Sequence, residues 1–228
     1  MRGATPVLEL LMAEADDSSA LDIVAALSLR LMPGECIVIE AADEAELDAF
    51  ADLCCGLIPL RAGRVRCLGH DWTDLSHIYA AALRARVGRM FADDTGLPFL
   101  DAETNILLPQ LHHTNRARDE LRAAATALAE EFGLPGLPQG RLSDLAPTDV
   151  VRAMLVRAML SEPTLLFLHE VAPTLRPAIL NRVVAMLDRG GAVVWLIEDR
   201  AARDLHRYAA TQWLRLAEQG LAPTRPTR

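Results

Sequence analysis

Arg157-Ala158-Met159-Leu160-Ser161-Glu162-Pro163-Thr164-Leu165-Leu166-Phe167-Leu168-His169-Glu170 is the stretch from which the fold is read. Before and into it, residues 149–160 carry Val, Met and Leu on several faces, the pattern of a buried helix. Pro163 ends that helix, because its ring removes a backbone donor and clashes with the preceding turn. Leu165–Leu168 is a short apolar run behind a turn, which predicts a strand buried on both faces. His169-Glu170 then sets two polar side chains at the strand's C-terminal end, where α/β sheets place their sites.

The same alternation extends outward. Toward the N-terminus, Pro6–Leu11 and Ile23–Leu31 read as extended, and Pro33-Gly34 as a turn. Glu35–Glu40, with Cys36-Ile37-Val38-Ile39, reads as another buried strand, and residues 43–57 as a helix ending near Gly56. Residues 59–69 read as a short strand pair, 76–86 as helix, and Val87–Phe91 as strand. Residues 93–114 are turn-rich and mixed. Residues 116–132 form an amphipathic helix with Leu121, Ala125, Leu128 and Phe132 on one face, stopped by Gly133. Toward the C-terminus come helix 177–188, strand Ala192–Ile197, helix Arg200–His206 and strand Gln212–Leu216. Apolar strands alternating with helices predict an α/β fold, with a mostly parallel sheet covered on both faces. The expected organisation is one domain over 1–221, with a core from 1–92 and 149–221, an inserted helical subdomain at about 93–148, and a disordered tail at 222–228.

Composition narrows the function classes. The 228 residues carry a net charge of −8, which argues against nucleic acid as a partner, since that needs a basic face. All 23 basic residues are Arg, so no lysine-dependent chemistry is available. Cys36, Cys54, Cys55 and Cys67 lack metal-site spacing and read as reduced, buried small hydrophobes. No apolar run approaches the ~20 residues of a membrane span. Membrane association is therefore expected to go through a partner.

Several fragments, in order and at matching separations, resemble the ATPase domain of ATP-binding-cassette (ABC) transporters over about residues 6–221. Leu29-Arg30-Leu31-Met32-Pro33-Gly34-Glu35 is similar to the family's L-x-L-x-x-G-E. Cys55-Gly56-Leu57, followed by Gly63-Arg64-Val65 and Leu68-Gly69, resembles A-G-L…G-x-V…x-G. Phe99-Leu100-Asp101-Ala102-Glu103-Thr104-Asn105-Ile106 resembles L-T-V-x-E-N-V. The stretch 157–168 resembles R-A-L-x-x-x-P-x-L-L-L-L, the run from the signature helix into the Walker B strand. The resemblance implies a P-loop NTPase-like ABC ATPase fold, with a mostly parallel core sheet, an antiparallel β part and the helical insertion. By length and by residues 71–109, the cassettes of lipid-transport and lipoprotein-release systems, including MlaF-like and FtsE-like ones, are the most similar branch.

At the family's chemical positions this sequence departs from the pattern. A P-loop needs G-x-x-x-x-G-K-[ST], so that backbone N–H groups and a lysine hold the phosphates and a hydroxyl holds Mg²⁺. The matching stretch is Ala41-Ala42-Asp43-Glu44-Ala45-Glu46-Leu47-Asp48. Ala41 and Glu46 replace the glycines, Leu47 the lysine, and Asp48 the hydroxyl. Four carboxylates stand where phosphates would lie. A like charge at ~4 Å costs about 4 kcal/mol at an effective dielectric near 20, and about 1.4 kcal/mol is tenfold in affinity. ATP binding in the usual pose is expected to fall by decades. The acids suit a helix N-terminus. Either Asp43, Glu44 or Glu46 fills the anion site from within, or they form a solvated helix start.

The remaining positions follow the same trend. The Q-loop glutamine maps to Ala92. The signature maps to Leu145-Ala146-Pro147-Thr148-Asp149, with Leu142-Ser143-Asp144 as the match by letters, and neither has the glycines. The Walker B aspartate maps to His169, the switch histidine to Glu198, and the D-loop to Pro173-Thr174-Leu175-Arg176. Glu170 keeps the identity of the catalytic base but has no phosphate or metal to work with. No aromatic near 13–19 is available to stack on adenine. His169, Glu170 and Glu198 form either a new metal or acid/base site or, the favoured reading, a hydrogen-bonded remnant. The adjacent His112-His113 reads as surface.

The resemblance implies a non-catalytic, structural or regulatory cassette subunit at the cytoplasmic face of a membrane. No cofactor or metal is expected, and ATP with Mg²⁺ only if the site has been rebuilt. The implied partners are a permease, docked through about residues 93–108, and a second ATPase-fold subunit or a second copy of the chain. The alternatives are a working ATPase with a rebuilt site and a soluble scaffold or regulatory module.

Overall fold

A computed structural model describes residues 4–16, 25–91, 96–199 and 208–224. The strands are β1 (Leu8–Ala15), β2 (Leu27–Leu31), β3 (Cys36–Ala41), β4 (Leu60–Cys67), β5 (His70–Asp71), β6 (Val87–Arg89), β7 (Leu165–His169), β8 (Ala192–Glu198), β9 (Gln212–Ala217) and β10 (Gly220–Pro223). The helices are α1 (Glu44–Cys54), α2 (His77–Arg84), α3 (Ala102–His113), α4 (Arg118–Glu131), α5 (Pro147–Met159) and α6 (Arg176–Asp188).

Two sheets organise the chain. A four-stranded antiparallel sheet runs β2-β1-β4-β5, and a six-stranded sheet runs β10-β9-β3-β8-β7-β6. In the larger sheet, β3 pairs parallel with β8 and β9, and β7 pairs parallel with β6 and β8. Only its edge strand β10 runs antiparallel.

Alternation on the strands explains how one sheet serves two cores. On β3, Cys36 and Val38 pack toward α3–α6, whereas Ile37, Ile39 and Ala41 pack toward α1 and the antiparallel sheet. On β8, Val193, Trp195 and Ile197 face the first core, and Val194 and Leu196 the second. Both faces are covered, so the continuous apolar runs are what this sheet requires. The four cysteines are buried free thiols, and burial raises Cys36 and Cys67 to about 12.

Several boundaries differ from the sequence expectation. β1 runs on to Ala15, and residues 60–67 form one strand that pairs along β1 and, at Arg66 and Cys67, locally with β5. Gly63 takes φ +78°, and a Cβ there would lie 1.9 Å from the Met12 carbonyl oxygen, beside a bulge in β1. The tail does not begin at 222, because Ala222 and Pro223 pair with Arg215 and Leu214. The expected helix 200–206 lies outside the described residues.

The largest difference is α3, in a stretch read as mixed. Asp101 caps it by accepting from the Thr104 N–H at 2.6 Å. Pro109 sits inside the helix, which by propensity alone costs roughly 3 kcal/mol. Packing offsets this: Ile106 and Leu107 are fully buried with Leu121, Ala125 and Leu128 of α4 and Met154 of α5. Asn105, also buried, receives the Leu97 N–H at 2.6 Å and donates to the carbonyls of Leu97, Leu100 and Asp101. That side chain folds residues 97–101 back onto the helix.

Candidate functional site

The C-terminal ends of β3, β7 and β8 converge on the start of α1. Ala41 closes β3, pairs with Glu198 and accepts from the Asp199 N–H at 2.9 Å. The helix begins three residues later, at Glu44.

Asp43 is its N-cap, with extended backbone, and its carboxylate accepts from the Glu46 N–H at 2.8 Å. Glu46 reaches back to accept from the Ala42 N–H at 3.4 Å. The pair resembles a capping box, with the return bond one residue early. Asp43 and Glu46 thus bond to amides at the helix start, while Asp43 and Glu44 are also exposed to solvent. Asp43→Ala is expected to lower stability by about 1 kcal/mol in urea unfolding, with Asp43→Ser close to the parent.

Leu47 turns into the core and is fully buried. Asp48, one residue on, faces β6 and β7. Its Oδ1 accepts from Arg89 Nη2 at 3.1 Å and lies 3.1 Å from His169 Nε2. A carboxylate can only accept here, so Nε2 carries the proton. Arg89 also donates to the Asp48 carbonyl at 2.9 Å and to Asp52 Oδ1, and its guanidinium lies 4.1 Å from the centre of the Phe91 ring. The Arg89 and His169 side chains are 9% and 5% exposed, against 30% for Asp48. These charges join α1, β6 and β7 in a site shielded enough to strengthen them. Among the described residues Arg89 Nε has no partner, a local cost within the network.

Glu170 turns elsewhere. Its Oε1 accepts from Tyr208 Oη at 3.0 Å and from Arg176 Nη2 at 3.2 Å. Arg176 also lies 5.5 Å from the centre of the Tyr208 ring. Tyr208 is fully buried between Trp195 and Trp213, edge-on to both at 5.3 and 5.6 Å. Trp213 donates to the buried Glu40 at 2.7 Å, and Arg215 approaches the same carboxylate at 3.5 Å.

His169 and Glu170 are neighbours in sequence, yet His169 lies against Asp48 whereas Glu170 is held by Tyr208 and Arg176. Glu198 is half-buried on β8, two residues beyond the Leu196 that pairs with His169. Among the described residues no three His, Cys, Asp or Glu side chains converge as a metal site.

At the signature position, Pro147 opens α5 with Ala146 as an N-cap that makes no side-chain bond. Ala146, Pro147 and Thr148 are exposed, and Asp149 pairs with Arg152 at 2.5 Å. Leu142-Ser143-Asp144 forms a separate single turn of 3₁₀ helix. Ala92 lies outside the described residues. His112 and His113 are both exposed on the last turn of α3.

Arg89, Tyr208, Trp213 and Glu40 were not singled out from the sequence. A signal for one of them was present: Glu40 is a charge in an otherwise buried strand, which demands a partner.

No family model matches the chain. It is 26% identical over 169 residues to the macrolide export ATP-binding/permease protein MacB of Syntrophobacter fumaroxidans, covering 73% of this chain and 24% of that protein. A MacB of Sodalis glossinidius is similar over 28% of its length, so the chain spans about a quarter of these relatives. The cell division ATP-binding protein FtsE of Escherichia coli is 23% identical over 71% of this chain and 72% of its own. The lipoprotein-releasing system ATP-binding protein LolD of Coxiella burnetii is 30% identical over 58% and 57%. Among solved structures, a dimeric bacterial ABC transporter cassette superposes with a TM-score of 0.78 at 15% identity, covering 97% of this chain and 99% of that one. By sequence relationship and by fold, the chain is a relative of the ATP-binding proteins of ABC transporters, built as one of their cassettes.

Proposed function

We propose that the chain is a cassette subunit of a membrane transport complex that contributes structure or regulation and does not turn over ATP. One observation supports this: the chain's own side chains bond to one another and to backbone amides along residues 42–48, the stretch read as the P-loop. Asp43 and Glu46 take the amides that a phosphate would use, and Asp48 is bonded to Arg89 and His169. A triphosphate and Mg²⁺ do not fit these residues in the usual pose. With no glycine turn, the helix starts where phosphates would lie, and Leu47 offers no cation. Glu170 is engaged by Tyr208 and Arg176.

Docking on a permease is proposed through the region around 93–108, where Phe99 is 77% exposed and Leu97 and Leu108 are also exposed. Among the described residues no helix is long and apolar enough to cross a membrane, so attachment to the cytoplasmic face would go through that subunit. Pairing with a second cassette or a second copy is proposed from the dimeric neighbour. The likeness to the lipoprotein-releasing system protein LolD supports lipid transport as the cargo class proposed.

Thermal unfolding with and without millimolar MgATP tests the nucleotide reading. A ligand at about 100 times its Kd stabilises by about 2.7 kcal/mol, or roughly 5–10 °C for a chain of this size. No shift is expected. A clear rise, with hydrolysis abolished by Glu170→Gln, would instead favour the rebuilt ATPase. Capture of the tagged protein from native membranes tests the subunit reading. A stoichiometric permease-like protein is expected, and a clean soluble product would leave the scaffold alternative ahead.

A further inference from the structure

The bulge in β1 breaks the alternation of that strand. The register slips between Leu10 and Ala13 against β2, and between Leu11 and Glu14 against β4, and Met12 takes φ +48° inside the slip. A regular strand sends neighbouring side chains to opposite faces. Here Leu11 and Met12 are both exposed, at 38% and 63%, and among the described residues they are the exposed large apolar side chains of the antiparallel sheet. The Met12 sulfur is also positioned. Ser28 Oγ accepts from the Met12 N–H at 3.3 Å and donates to Met12 Sδ at 3.4 Å. One hydroxyl thus holds the thioether against β2 and engages one of the sulfur's two lone pairs. The other methionines differ: Met90, Met154, Met159 and Met186 are buried, and Met32 is half-buried.

We propose that Met12 is a reversible oxidation site, which takes one oxygen from hydrogen peroxide and gives one methionine sulfoxide epimer in excess. A sulfur lone pair attacks one peroxide oxygen. The S–O bond forms as the O–O bond breaks, and the departing hydroxide takes the proton of the transferred oxygen and leaves as water. The sulfur loses two electrons and the peroxide gains them. Exposure selects the residue, because a thioether in the core is screened from a solvated oxidant. Ser28 selects the face: its hydroxyl shields the lone pair that it bonds, so oxygen adds to the other. The sulfoxide turns the Leu11–Met12 outcrop polar without emptying any core, and reductases that each act on one epimer restore the thioether. The site stands apart from the proposed subunit role and does not rest on it.

The test treats the full chain with dilute hydrogen peroxide and follows each methionine by peptide mapping. Met12 is expected to gain its oxygen roughly 10-fold or more faster than Met90, Met154, Met159 and Met186. Met12→Leu is expected to lose that first addition. Two methionine sulfoxide reductases of opposite epimer preference then read the product. One is expected to restore the parent with roughly a 5-fold excess over the other, and the two are expected to act about equally on oxidised Ser28→Ala. The singly oxidised chain is expected to unfold at the parent's midpoint on heating, because the modified side chain faces solvent. A buried methionine that reacts as fast as Met12, equal epimers in the parent, an excess that survives in folded Ser28→Ala, or a midpoint lowered by the single oxygen overturns the proposal.

Discussion

Trp195→Ala is expected to destabilise the fold by about 4 kcal/mol, in the range for emptying a large buried aromatic site. Trp195 is fully buried on the central strand β8, and its Nε1 donates to the Tyr208 carbonyl at 3.0 Å. Truncation leaves a cavity and removes that donor together with the edge-on contact to Tyr208. Tyr208 in turn holds Glu170, so the loss reaches the end of β7. Urea unfolding at constant m-value is the measurement. A loss below about 1.5 kcal/mol would mean that the site collapses and Tyr208 does not depend on Trp195.

Arg89→Met comes next, at about 2–3 kcal/mol. Methionine keeps much of the volume, so the change isolates the charge. Breaking a fully buried pair costs about 3–5 kcal/mol, and the value here is lower because Asp48 and Asp52 are 30% and 36% exposed. The variant leaves the Asp48 and Asp52 carboxylates with one cation fewer. Paired unfolding of Arg89→Met, Asp48→Asn and the double variant gives the coupling, expected at about 1–2 kcal/mol. Additive losses would show that the three elements are held by packing alone.

The two readings of the acidic helix start illustrate what local sequence can decide. Asp43 followed three residues later by Glu46 is a legible cap pattern, and the cap is present. His169 and Glu170 were equally legible as positions at a strand's end, but their partners were not. Asp48 lies 121 residues from His169, and Tyr208 lies 38 residues from Glu170. Neither separation leaves a periodic trace.

From the sequence alone came the strand–helix alternation, the cassette resemblance and the reading of residues 41–48, 169 and 198 against that family's P-loop, Walker B and switch positions. These follow from short-range rules: apolar runs mark buried strands, Pro and Gly mark their limits, and a motif is a fixed local spacing. Only the tertiary structure decided that residues 102–113 form a helix despite Pro109, that Ala222 and Pro223 join the sheet, and that Arg89 holds Asp48. Each depends on surface supplied by distant chain. Burial of Ile106 and Leu107 outweighs the proline, an available strand edge recruits the tail, and a charge enclosed between β6 and α1 must find its counter-charge there.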